Sequence, residues 1–243
     1  GVEIVSPELL KETMKNFTPR HPENPNKIDL DRDVLKPNIK SGKIYAYDTP
    51  EYVKDMGTPD RFHDAETDML KGLVYARNLK NNLKALFLDR DGVINIDKNY
   101  TYKIEDFEFV NDIVDLCKKA QHEGYLIIVI TNQSGVDRGY YSIEEMNIFN
   151  DYIKEQFKKH DVNITDIFCC PLLNSYDRKP NPGMFEKAKA KYNIDMSKSF
   201  SVGDSERDII AAKKAGVIKN YLLTDDFKIM NILSEYDKEE QHK

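Results

Sequence analysis

From Lys84 onward the chain alternates between short apolar runs and segments with helical spacing. The runs are Leu86-Phe87-Leu88, Tyr125–Ile130, Ile164–Cys170, Ser199–Val202 and Asn220–Thr224. Runs of this length, bounded by turn residues, predict buried strands. Between them, Ile113, Cys117 and Ala120 fall on one face of a helix near 110–123, which Gly124 stops. Ser142 and Glu145 form a capping box that opens a helix with Met146, Phe149, Ile153 and Phe157 at core spacing. Further helices are expected up to Tyr192, after Gly203–Asp208 as far as Gly216, and after the fifth run. Strands alternating with helices predict an α/β fold, a Rossmann-like doubly wound parallel sheet.

Residues 1–76 read as a separate, smaller α+β module. Ser6-Pro7-Glu8 is a helix start, with a capping serine and a proline in the first turn. Residues 17–27 are rich in Pro and Asn and read as a loop. A short helix is expected over Asp31–Leu35, stopped by Pro37, and a strand over Lys43–Tyr47. Thr58-Pro59 starts another helix, with Phe62, Ala65, Met69 and Leu73 along one face. Residues 77–84 read as a linker, 85–236 as the α/β domain, and 237–243 as a charged, frayed tail.

The chemistry-bearing residues sit where the strands end. The first run closes in Asp89-Arg90-Asp91-Gly92. Continued strand geometry would put both carboxylates on one face, where a magnesium ion would offset their repulsion. The same residues also suit a solvated Asp-Gly turn. Thr131-Asn132-Gln133-Ser134-Gly135 follows the second strand and reads either as phosphate donors or as a capped turn. Arg178-Lys179-Pro180 reads either as two adjacent cations for an anion or as a solvated surface pair. Asp204, after the fourth strand, is either a third site acid or a helix cap.

The 42 acidic residues exceed the 36 basic ones, giving a net charge of -6. That balance argues against a nucleic-acid partner held by phosphate neutralisation. Cys117, Cys169 and Cys170 cannot build a disulfide framework, so a reducing, cytoplasmic setting is expected. No signal peptide or apolar run of membrane-spanning length is legible, so no membrane partner is expected. The first residue is Gly1, and a piece of a longer polypeptide is the expectation.

Asp-x-Asp, Thr-Asn, Lys and Asp, in that order at strand ends, resemble the haloacid-dehalogenase-like phosphatases from about Ala85 to Leu223. The spelling Asp89–Asn95, Thr131–Gly135, Arg178-Lys179-Pro180 and Asp106–Phe109 resembles the heptose-bisphosphate phosphatase and histidinol-phosphatase branch. The resemblance implies that Asp89 attacks phosphorus and that Asp91 serves as acid and then base. It implies magnesium on Asp89, the Asp91 backbone carbonyl and Asp204, with Thr131 and Lys179 on the phosphoryl group. Asn132, Gln133, Ser134, Arg178 and the loop from Asp97 to Tyr100 would contact the substrate. That substrate would be a small phosphorylated sugar, foremost a heptose bisphosphate, with histidinol phosphate as the alternative. A phospho-acceptor module or an inactive scaffold is the non-enzymatic reading.

Two departures matter. The branch often carries a zinc loop, but here Cys170-Pro171-Leu172 stands where it has Cys-Pro-His. No cysteine lies between Pro171 and Arg178, so no zinc is expected. No long insertion follows Asp91 or Thr131, so a minimal cap and an open site are expected. The first module resembles the C-terminal end of a sugar-phosphate nucleotidyltransferase in Ser6–Leu10, Asp33-Val34-Leu35 and Tyr52–Pro59. Asp55 stands where that family has a metal-holding aspartate, but the nucleotide loop has no counterpart, so a silent module is expected. A homo-oligomer or a missing nucleotidyltransferase portion would complete the molecule.

Overall fold

The computed structural model describes residues 5–15, 17–45, 49, 51–70 and 72–240. They form two compact units, one of residues up to 49 with 53–55, the other of 50–52 with 56–243.

In the first unit, α1 spans Pro7–Lys15, and the Ser6 hydroxyl accepts the Leu9 N–H at 3.2 Å, the cap expected from the sequence. A π-helical turn, Leu30–Leu35, runs directly into α2, Lys36–Asn38. Pro37 therefore does not stop this helix: it lies in the first turn of α2, where an N–H has no helical partner. Asp33 is buried beneath the turn and accepts from Arg20 Nε at 2.9 Å and the Asp29 N–H at 2.8 Å. The strand expected over Lys43–Tyr47 falls in part outside the described residues.

In the second unit, α3 spans Pro59–Leu70, with the Thr58 hydroxyl accepting from the Arg61 N–H. Ala65 is buried, but Phe62 is 57% and Met69 59% exposed, so the expected apolar face is mostly open. Leu73 starts a separate short helix, α4 (Leu73–Ala76), after Gly72 turns left-handed at φ 77°. Tyr52 donates to Asp68 at 2.8 Å and Glu51 accepts the Leu79 N–H at 3.3 Å. These bonds tie Glu51 and Tyr52 to α3 and to the linker, so these two residues group with the sheet and not with the first unit.

The sheet is parallel, in the order β3-β2-β1-β4-β5. Its strands are β1 (Ala85–Leu88), β2 (Leu126–Asn132), β3 (Ile164–Cys170), β4 (Phe200–Gly203) and β5 (Lys219–Leu222). The helices between and after them are α5 (Ile113–His122), α6 (Ile143–Lys158), α7 (Gly183–Tyr192), α8 (Glu206–Lys214) and α9 (Ile229–Glu240).

Strand alternation sorts the core into two layers. Leu86, Leu88, Ile127, Val129, Phe200 and Val202 pack with Leu116 of α5, Phe149 and Phe157 of α6, and Ile232 of α9. Ala85, Phe87, Ile128 and Ile130 face the other way, onto Phe185 and Ala188 of α7 and Ala211 and Ala212 of α8. Each fully buried side chain of this kind contributes about 1.5–3 kcal/mol. The chain leaves β1 outward through β2 and β3, then crosses to β4 on the other side. That reversal opens a crevice at the carboxyl ends of β1 and β4, the place where such sheets bind ligands. Among the described residues no helix is long and apolar enough to cross a membrane.

Candidate active site

The crevice collects charge on one side. Asp89 follows β1 directly, and its N–H continues the ladder onto the Val202 carbonyl at 3.0 Å. Lys179, 2% exposed, donates to Asp89 Oδ1 at 2.8 Å and to the Ile130 carbonyl at 2.6 Å. Its ammonium also lies 2.7 Å from Asp208 Oδ1. Asp208 is held by the first turn of α8, where its Oδ2 accepts the Ser205 N–H at 3.0 Å. Carboxylate oxygens of Asp89, Asp204 and Asp208 all lie within 4.8 Å of one another.

Three carboxylates facing one ammonium leave this corner short of positive charge. Desolvation, then the charges of Asp89 and Asp208, push the Asp204 carboxyl up to about 7, with Lys179 and Arg207 opposing. Burial also raises Asp89; Lys179 opposes it, and Asp208 and Asp91 add to it. Burial alone would lower Lys179, but Asp89 and Asp208 outweigh it and hold the ammonium above its usual range. Hard oxygen donors in such excess suit a divalent cation. Gly92 makes room for the Asp204 carboxylate: φ is 81°, and a Cβ there would sit 2.1 Å from Asp204 Oδ2.

Asp91 lies in different surroundings. Arg90, fully buried, binds its carboxylate through Nε and Nη2, the nearest contact being 2.9 Å. The guanidinium also donates to the Thr101 carbonyl at 2.6 Å and to Asn150 Oδ1 at 3.2 Å, and lies over the Phe149 ring. Asn95 donates to Asp91 Oδ1 at 3.0 Å and Gln133 to Oδ2 at 2.8 Å. The same Gln133 Nε2 reaches Thr131 Oγ1 at 2.8 Å, while Tyr141 donates to Gln133 Oε1 at 2.6 Å. Tyr141 is stacked on Tyr102 at 4.7 Å between centroids.

The sequence-expected residues divide accordingly. Asp89, Asp91, Thr131, Lys179 and Asp204 come together at the strand ends. Asn132 and Gln133 are at the site, but their amides face the protein. Asn132 accepts the Lys179 N–H and donates to the Lys179 carbonyl, both at 3.0 Å. Ser134 is half-buried in the loop after β2. Arg178 is half-buried, and its Nη1 is buried with no hydrogen-bond partner among the described residues. Asp97 and Tyr100 are exposed; Asp97 closes its own turn by accepting the Asn99 N–H, and Tyr100 meets Tyr140 edge-on. Asp208, Arg90 and Tyr141 were not expected at the site. The Ser205–Asp208 spacing of a capping box was the available signal for Asp208.

A cleft of about 870 Å³ opens beside Gly92 and Asp204. Glu108, Asp112 and Asp225 line it with Asp204, against a single ammonium, Lys228. Cys169 and Cys170 stand away from the acidic trio. Cys169 accepts from Asn150 Nδ2, and burial raises its thiol to about 11.

Residues 84–242 match the family model described as polynucleotide kinase 3 phosphatase. The D-glycero-alpha-D-manno-heptose-1,7-bisphosphate 7-phosphatase of Photorhabdus laumondii is 44% identical over 153 residues, which are 59% of this chain and 84% of that protein. The D-glycero-beta-D-manno-heptose-1,7-bisphosphate 7-phosphatase of Helicobacter pylori is also 44% identical, over 59% of this chain and 85% of that protein. The D,D-heptose 1,7-bisphosphate phosphatase from B. bronchiseptica, crystallised with magnesium and phosphate, superposes with a TM-score of 0.54. It is 29% identical, over 58% of this chain and 80% of that one. The chain is a phosphatase of haloacid-dehalogenase-like fold and belongs to the polynucleotide kinase 3 phosphatase family.

Proposed function

We propose that the chain removes a terminal phosphate from a phosphorylated sugar, foremost the 7-phosphate of a heptose 1,7-bisphosphate. The observation that carries this reading is the convergence of Asp89, Lys179, Thr131 and Asp204 on one sheet edge, beside a half-buried Arg178 with an unspent donor.

Asp89 attacks phosphorus, and the bond from phosphorus to the sugar oxygen breaks. Asp91, carrying a proton, passes it to that oxygen. Water then attacks the aspartyl phosphate, Asp91 takes a proton from it, and the bond from phosphorus to Asp89 breaks to release phosphate. Arg90, Asn95 and Gln133 all donate to Asp91 and fix where its two oxygens point. Lys179 and Thr131 hold phosphoryl oxygens. Asp89, Asp204 and the Asp91 carbonyl would hold magnesium, which supplies charge neutralisation to the phosphoryl group.

The two approaches to the site differ in charge, and this bears on substrate. The cleft beside Asp204 is acidic and repels a second anion. Arg178, on the Lys179 side, offers a forked donor to one. A bisphosphate therefore directs its second phosphate to Arg178. The acidic cleft is also the one feature favouring histidinol phosphate, whose leaving group carries a cation. Residues 1–76 belong to this reading as a silent nucleotidyltransferase remnant, from a step that uses a sugar 1-phosphate. The test is kcat/KM for heptose bisphosphate, histidinol phosphate and hexose monophosphates with added magnesium. An advantage for the bisphosphate is expected; a preference for histidinol phosphate transfers the function to the second reading.

A further inference from the structure

We infer that Gln133 is a positioning residue that sets the direction of the hydrogen bonds in the site, leaving the Thr131 hydroxyl free to donate to a phosphoryl oxygen. The inference rests on the phosphoryl-transfer reading and goes beyond it by moving Gln133 from substrate contact to control of two other groups.

Gln133 is 2% exposed, so its amide cannot turn to solvent. Its neighbours fix its orientation. Asp91 Oδ2 already acts as acceptor for Arg90 Nη2 at 2.9 Å, so the –NH₂ end of Gln133 faces it, 2.8 Å away. Its second hydrogen goes to Thr131 Oγ1, also 2.8 Å away. Oε1 then faces Tyr141, whose hydroxyl must donate. Thr131 thus receives a hydrogen bond and keeps its own hydrogen. Among the described residues it donates to no other group, although it is 1% exposed. A buried hydroxyl with an unspent donor is costly unless a ligand accepts from it. Lys179 binds Asp89 and the carbonyl of Ile130, the residue before Thr131, so a phosphoryl oxygen held by Lys179 is the acceptor we assign to the Thr131 hydrogen.

Two substitutions of similar size separate direction from shape. Gln133→Glu puts an acceptor where the –NH₂ stood, draws the Thr131 hydrogen onto itself and crowds Asp91 with a like charge. Gln133→Met removes the same bonds but leaves the Thr131 hydrogen unspent. Binding of inorganic phosphate with magnesium, by calorimetry, reads Thr131 without turnover. Gln133→Glu is expected to weaken it about tenfold or more and Gln133→Met less than about threefold.

Turnover of a sugar phosphate is expected to fall about 100-fold in Gln133→Glu and about tenfold in Gln133→Met, chiefly in kcat. Tyr141→Phe, which keeps the ring against Tyr102, should lose less than either. Equal phosphate binding in the Glu and Met variants overturns the inference; so does a contrast that persists in a Thr131→Val background, where no hydroxyl is left to redirect and only the added charge remains. So does a rise in kcat in either variant. A wild type that binds phosphate but releases none from any ester would end the phosphatase reading, while the binding contrast would still decide the role of Gln133.

Discussion

Asp89 and Asp91 stand two residues apart and meet opposite surroundings. Asp89 belongs to a corner with too much negative charge: three carboxylates share one ammonium, and Asp204 is pushed up to about 7. Asp91 belongs to a corner that is saturated: Arg90, Asn95 and Gln133 spend their donors on it, and those groups are themselves buried and anchored. The difference separates two tasks. On the proposed mechanism the first corner would be completed by what it binds, a cation and a phosphoryl group. The second is completed by the scaffold, so its carboxylate is oriented before substrate arrives.

The contrast can be broken most severely at Asp89. Asp89→Asn keeps the shape and the fold but removes the nucleophile, and phosphate release should fall about 10⁴-fold or more. Thermal unfolding should change little, and a small rise in stability fits the relief of charge crowding. Near-normal turnover by this variant would remove the mechanism.

Arg90→Met should show the reverse pattern. It strands Asp91 beside buried polar groups, so stability should fall by about 3 kcal/mol or more, on the order of 10 °C in Tm. Turnover should fall as well, by about 100-fold. A variant that keeps its Tm would mean that the Asp91 corner is not held by the scaffold.

Gly92→Ala tests the first corner by space alone. Its Cβ would collide with Asp204 Oδ2 at 2.1 Å, and the φ of 81° would be strained. About tenfold weaker magnesium binding and a loss of about 1–2 kcal/mol are expected, read from activity against magnesium concentration and from unfolding. The smallest effect is the most selective. Arg178→Ala should raise KM for a bisphosphate about tenfold and barely affect monophosphates. An equal loss on both would place Arg178 on the reacting phosphate.

The parts of the site that follow strands were legible in the sequence, because a buried parallel strand declares itself by an unbroken apolar run and its end by the first polar residues. Asp89, Thr131 and Asp204 were found in this way. Asp208 was not, since an acid three residues after a serine already has a sufficient role as a helix cap; only the fold reveals that its other oxygen faces Lys179. Arg90 was not singled out, since its sequence neighbours do not disclose its burial, which involves Asn150 and Phe149 of α6, about sixty residues away in sequence. Asn132 and Gln133 follow β2 as expected, but their amides meet Lys179, Asp91, Thr131 and Tyr141, contacts that an amide's sequence position cannot disclose. The helix at Pro59 was legible from its cap, but its apolar spacing pointed to a buried face where only Ala65 is covered.

The most direct test is phosphorus NMR of heptose 1,7-bisphosphate incubated with the wild-type chain and magnesium, with Asp89→Asn in parallel. The account predicts that the 7-phosphate signal gives way to inorganic phosphate while the 1-phosphate signal persists, and that nothing changes with the variant. Persistence of both ester signals with wild type, first loss of the 1-phosphate, or equal release by Asp89→Asn would contradict it.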